Sequence, residues 1–203
     1  MVDSKYVKFI ISLSGPAVLG SSVLIKQNEA IFKSLGSDPQ KVDNYIRDYF
    51  EPLMQLSSQT LDSTSYVSMV SKITEAYHAS DKDIPFVFMA STNKANMGMV
   101  EKQLNGIWFK SMLSTDYTAY WKKLKVPALA LFAEKDVQVD AELNIKALEK
   151  LHKSNIQIKT LAGHNHLYQI AKTGKTDEYA KLKTSVSETC LEAMTTFIHN
   201  LKK

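Results

Sequence analysis

Apolar residues along this chain follow two periods. Three short segments carry near-continuous or alternating apolar residues and end in turn signals, which predicts buried β-strands. Val7–Leu13 (VKFIISL) is rich in β-branched residues and stops at Ser14-Gly15-Pro16. Val126–Phe132 has Pro127 near its start, where a strand tolerates a missing N–H, and runs into Glu134-Lys135-Asp136. Ile156–Leu161 alternates and stops before Gly163. Runs like the first two suit a parallel sheet covered on both faces.

Between the second and third strands, Val139–Leu151 places Leu143, Ala147, Leu148 and Leu151 on one helical face, which makes a βαβ unit with an expected right-handed crossover. Ser187–Leu201 predicts a closing amphipathic helix. Ser187 is its N-cap, and Leu191, Met194, Phe197, Ile198 and Leu201 form its buried side.

The long middle changes character. From about Gly20 to Tyr120 the only strand-like run is Phe86-Val87-Phe88-Met89. Asp38 followed by Pro39 reads as an N-cap and first-turn proline, after which Val42, Tyr45, Ile46, Tyr49, Leu53 and Met54 repeat at helical spacing. Further helices are expected around Ser65–His78 and around Lys94–Leu104, with Gly106 at the end of the latter. An insertion of this length is a domain or a lid rather than a loop. The expected fold is therefore α/β: a short parallel sheet in a core made of residues 1–19 and 121–203, interrupted by a large helical insertion over 20–120.

The 203 residues, 44% hydrophobic and 23% charged, suffice for one buried core. Net charge is +4, yet Arg47 is the only arginine and the lysines are scattered. That argues for a solvated, mildly basic surface and against nucleic-acid recognition, which favours the forked guanidinium. The longest clean apolar stretch, Val126–Ala133, falls well short of the ~20 residues that cross a bilayer. Cys190 stands alone, so neither an internal disulfide nor a cysteine-rich metal site is expected, and nothing near it marks an activated thiol. Nothing at the amino terminus reads as a signal peptide, which suits a cytoplasmic chain and leaves its location open.

Functional groups on parallel sheets gather in loops at the carboxyl ends of strands. Asp136 follows the second strand and His166 the third. An acid and a histidine so placed meet at one edge of the sheet, where the acid binds Nδ1–H and stabilises the imidazolium. Asp140 is a second acid nearby, but its place before the helix reads as a charge complementing the helix dipole. His164, two residues before His166, is a loop residue or half of a metal pair, although no third ligand is evident. His78, His152 and His199 read as surface residues. Tyr45, Tyr49, Phe50, Trp108, Phe109 and Trp121 are core aromatics, or lid residues over an acyl or peptide pocket.

Around these residues the chain shows Trp108 to Leu113, Asp116, Lys125 to Leu131, Glu134 to Val139, Gly163 to Gln169, Thr173-Gly174 and Glu178-Tyr179 in order, after Ile11 to Pro16 and Gln27. Together they resemble the carboxyl-terminal half of α/β-hydrolase-fold serine hydrolases, in the lid-bearing dienelactone-hydrolase-like and related peptidase group. The resemblance implies a partial α/β-hydrolase fold with a lid, Asp136 as triad acid, His166 as triad base, an ester, amide or peptide substrate, and no metal or organic cofactor. The family's nucleophile sits on a G-x-S-x-G elbow, a motif these residues do not contain. Ser14 ends a strand, but Ser12 and Pro16 stand where the elbow needs glycines, so Ser14 reads as a turn residue. The nucleophile and oxyanion hole are accordingly expected upstream of Val7, and this chain alone is expected to be inactive. Three strands also leave a sheet edge free for another chain, so the competing expectation is a hydrolase-like remnant that binds or self-associates.

Overall fold

The computed structural model describes residues 6–57, 59, 63–80 and 106–201. It is a mixed α/β structure that divides into two compact units, Met1–Val18 with Asp116–Lys203, and Leu19–Thr115. The expected Phe86–Met89 strand and Lys94–Leu104 helix lie outside the described residues.

The first unit is built on a parallel sheet of β1 (Ile10–Leu13), β2 (Ala128–Ala133) and β3 (Ile156–Leu161), in that order across the sheet. β2 is buried along its whole length, and its period-two alternation serves both faces. Leu129, Leu131 and Ala133 pack with Tyr168, Cys190 and Phe197. Ala128, Ala130 and Phe132 pack on the other side with Ala17, Trp121 and Leu148. β1 is shorter than the sequence predicts. Its ladder begins where the Ile10 N–H meets the Pro127 carbonyl at 3.0 Å, and Pro127 has no N–H to extend the pairing. β1 is also an edge strand, half-buried rather than covered, with Leu13 exposed.

Helices cover the sheet: α6 (Tyr117–Lys123) and α7 (Ala141–Glu149) carry Trp121 and Leu148, and α8 (Glu188–Asn200) carries Cys190 and Phe197. Each begins on a side-chain cap, Asp116, Asp140 and Ser187 respectively. Asp140 thus acts as the N-cap of α7, accepting the Leu143 N–H at 2.6 Å. The buried stripe of α8 runs through Cys190, Ala193 and Phe197. Leu191 and Leu201, expected inside, are exposed, because the stripe is set by where Cys190 and Phe197 meet the sheet.

The described part of the second unit is helical. α1 (Gly20–Ser34), which the sequence reading did not resolve, starts where the Gly20 N–H bonds to the Thr115 carbonyl. A Cβ on Gly20 would lie 1.9 Å from the Met112 carbonyl oxygen of α5 (Ile107–Ser114), so glycine permits that close approach. The helix expected after Asp38 comprises α2 (Pro39–Tyr45), a π-helical turn over Ile46–Phe50, and α3 (Glu51–Ser57). Pro52 explains the wide turn. It lacks an N–H, its ring crowds the carbonyl of residue 48, and the Glu51 N–H reaches back five residues to Ile46. α4 (Ser63–Ser80) follows. Gly106 is the N-cap of α5; the helix expected to end there lies outside the described residues. Phe32, Tyr45, Tyr49, Phe50 and Phe109 share one core. Trp108 stands largely exposed beside them.

Candidate functional site

Three consecutive residues after β2 reach the loop after β3. Glu134 accepts the Gly163 N–H at 2.6 Å, and the Lys135 N–H bonds to the His164 carbonyl at 2.8 Å. Lys135 Nζ donates to the carbonyls of Ala171 and Lys172. Asp136 holds His166, Oδ2 to Nδ1 at 2.9 Å. The two residues that sequence spacing placed at one sheet edge are therefore hydrogen-bonded.

The Asp136 side chain is fully buried, and each of its oxygens has two partners. Oδ1 accepts the N–H groups of Gln138 and Val139 at 2.8 and 2.9 Å. Oδ2 accepts the Ser14 hydroxyl at 2.8 Å as well as His166. Because the carboxylate only accepts, the proton in the pair sits on Nδ1, leaving the Nε2 lone pair bare in the neutral ring. The imidazole is partly open, at 29% exposure against 0% for its carboxylate partner. Solvent and small molecules therefore approach the histidine and not the acid.

The loop carrying His166 is shaped from within. Asn165, fully buried, accepts the N–H groups of Leu167 and Gln169 at 3.0 Å each and donates to the Gln169 side chain at 2.9 Å. His164 and Ile170 pair as a short antiparallel bridge, and the Ala171 N–H closes onto the Gly163 carbonyl. The Tyr179 hydroxyl accepts the Gln138 side-chain amide at 3.2 Å, and burial raises its pKa above the ordinary phenol value. Further along, Glu178 gathers the N–H groups of Lys172, Thr173 and Gly174 and the Thr173 hydroxyl, which hold its carboxyl down to about 2. Gly174, at φ +78°, lies so close to Lys135 that a Cβ would fall 2.1 Å from its carbonyl oxygen.

His164 is buried with both nitrogens engaged. Nδ1 lies 2.8 Å from the Ala162 carbonyl and must be protonated to donate, so Nε2 accepts the Ser187 hydroxyl at 2.6 Å. That arrangement leaves it no lone pair for a metal. Among the described residues no group of three His, Cys, Asp or Glu side chains is placed to hold one. His152 and His199 are exposed.

Ser14 differs from its sequence reading in one respect. It is a turn residue, at φ +47°, but its buried hydroxyl is committed to Asp136 and lies 2.9 Å from the Tyr168 hydroxyl. No hydrogen bond joins it to His166. Sequence reasoning overlooked Tyr168 and Asn165 as supports of the site. The cue was present: two polar residues flanking His166 within a loop between apolar segments. It also overlooked Asn144, fully buried in α7, which accepts the Ala17 N–H at 2.7 Å and fixes the turn after Ser14. A groove of about 620 Å³ beside Ile170, Val186 and Leu191 includes neither Asp136 nor His166.

No helix among the described residues is long and apolar enough to cross a membrane. In comparisons with known proteins, no protein-family model, no curated protein and no solved structure matches the chain.

Proposed function

We propose that this chain carries the acid and the base of a serine hydrolase that cleaves an ester, amide or other acyl bond, in an α/β-hydrolase fold with the helical unit as its lid. The observation that supports it is the 2.9 Å bond from His166 Nδ1 to the buried Asp136 carboxylate, at the carboxyl ends of adjacent parallel strands. A serine hydroxyl presented to Nε2 gives its proton to His166 as its oxygen attacks the acyl carbon. The imidazolium returns that proton to the departing alkoxide or amine, leaving an acyl-serine. Water then attacks the acyl-serine by the same route, releasing the acid and regenerating the serine. Asp136 stays ionised throughout and stabilises the imidazolium. The Ser14 hydroxyl is bound to the acid and not to the base, so the nucleophile in this reading comes from a G-x-S-x-G elbow, a motif the 203 residues do not contain. This mechanism requires no metal or organic cofactor.

A fluorophosphonate probe, which bonds covalently to activated serines, tests this reading. We expect the 203-residue chain to stay unlabelled. The natural protein captured from its own cells should be labelled, and His166→Ala should abolish that labelling. A folded natural protein that resists the probe would overturn the hydrolase reading.

The second reading is a binding module that self-associates. It is favoured by β1, which among the described residues pairs only with β2, with Leu13 44% exposed. Light scattering that found a monomer across the accessible concentration range would count against it.

A further inference from the structure

We infer that Ser14 and Tyr168 form a hydroxyl arm that positions Asp136, so that its Oδ2 holds the His166 imidazole in a single tautomer with Nε2 bare. Both are positioning residues that act through Asp136. The inference deepens the acid–base reading and rests on it only for the use to which the bare nitrogen is put.

The backbone supplies the first observation. Among the described residues three non-glycine residues have positive φ: Ser14 at 47°, His152 at 49° and Tyr168 at 60°. This region is sterically unfavourable for residues with a Cβ and persists only where surrounding contacts impose it. Two of the three meet, hydroxyl to hydroxyl, at 2.9 Å, although 154 positions separate them in the chain. The turns that twist these two residues out of the ordinary regions also bring their hydroxyls to the acid.

Proton accounting supplies the second. Oδ1 of Asp136 is fixed by two backbone N–H groups, which leaves the carboxylate free to pivot about that oxygen. Oδ2 has two visitors, the Ser14 hydroxyl and His166 Nδ1, and the hydroxyl fixes the second corner. With its own proton given to Asp136, Ser14 Oγ can only accept, and the single Tyr168 hydroxyl proton is directed first at the Leu131 carbonyl and shared with Ser14 Oγ as a three-centre bond. The Tyr168 hydroxyl lies 2.6 Å from the Leu131 carbonyl, which also receives the Ser14 N–H at 2.9 Å. The arm is thereby anchored on the end of β2, the strand that delivers Asp136. Burial pushes the Tyr168 phenol up to about 12, so it keeps its proton throughout the neutral range.

Nitrogen–proton correlation spectra of the imidazole, recorded well above the ordinary imidazole range so that the ring is neutral, test the arm directly. Wild-type His166 should show one tautomer, protonated on Nδ1. Ser14→Ala and Ser14→Gly should both lose that pattern, with nitrogen shifts moving toward the average of two tautomers, and Tyr168→Phe should move the same way by less. Glycine adopts φ +47° without penalty and alanine does not, so the pair separates the hydroxyl from the backbone. If alanine prevents folding, the glycine variant and Tyr168→Phe carry the test. Wild-type shifts in both Ser14 variants would overturn the inference, as would a change in only one of them, which would assign the effect to the backbone. The spectra need no activity. A locked tautomer in a protein that resists fluorophosphonate overturns the hydrolase reading alone, and an unlocked tautomer in a labelled protein overturns the arm alone.

Discussion

In the helical unit, Phe32, Tyr45, Tyr49, Phe50, Leu53 and Met54 meet in one aromatic and aliphatic core, with Phe32 and Tyr45 edge-on at 5.0 Å. In the sheet unit, the core is split by β2 into two apolar faces, and a polar seam comprises Ser14, His164, Asn165 and Gln169 in the loops at the strand ends and Asn144 in α7, all buried, with the Asp136 carboxylate bonded to Ser14. Partners are what separate the two. Every one of those five side chains has a hydrogen bond, whereas in the helical unit the buried Asn28 uses only its amide nitrogen, to the Leu24 carbonyl, and leaves Oδ1 unsatisfied. Burying polar atoms is tolerable when each is paired, and a seam in which all are paired is rigid enough to aim a histidine.

The largest effect we expect treats the two units alike. Phe132→Ala in β2 and Phe50→Ala in the helical unit each empty a fully packed position and should cost about 3–5 kcal/mol in urea unfolding. A much smaller loss in one of them would mean that its core is loosely packed and would break the comparison. The buried asparagines should then differ in sign. Asn144→Ala strands the Ala17 N–H and should cost about 1–3 kcal/mol. Asn28→Leu removes an unpaired oxygen while keeping the branched shape of the side chain and should be neutral or stabilising. Equal costs in the same denaturation assay would show that pairing is not what distinguishes the seam.

The smallest effect concerns pH. Glu178 is depressed in the folded state from an ordinary 4.5 to about 2 by the N–H groups and hydroxyl around it. Its contribution to stability is therefore complete above the ordinary value and lost as pH falls through about 2. Glu178→Gln should flatten the part of the stability-against-pH curve between those limits. The group is exposed, so the change is small, and an unaltered curve would mean that the loop at 172–174 is held without the carboxylate.

Much of the fold was readable because the periods were strong. Ile156–Leu161 is the strand the alternation predicts, and Asp38, Asp140 and Ser187 cap helices where a polar residue precedes an apolar repeat. Ends and faces were less readable. The start of β1 depends on its partner Pro127, 117 residues away from Ile10, and the exposed side of Leu191 depends on how α8 meets the sheet. The π turn before Pro52 was not anticipated, although proline in a helical run gave the reason for one.

For the candidate site, the sequence by itself determined which residue types follow β2 and β3, because the carboxyl ends of these two strands follow the local hydrophobic pattern and parallel pairing aligns them. That was enough to bring Asp136 and His166 together. Only the tertiary structure decided where the hydroxyls of Ser14 and Tyr168 go, that His164 is turned inward onto Ala162 and Ser187, and that the acid has four donors. Hydrogen bonds between residues 122 and 154 positions apart leave no periodic trace in the chain, since each depends on the position of a partner that the local sequence does not contain.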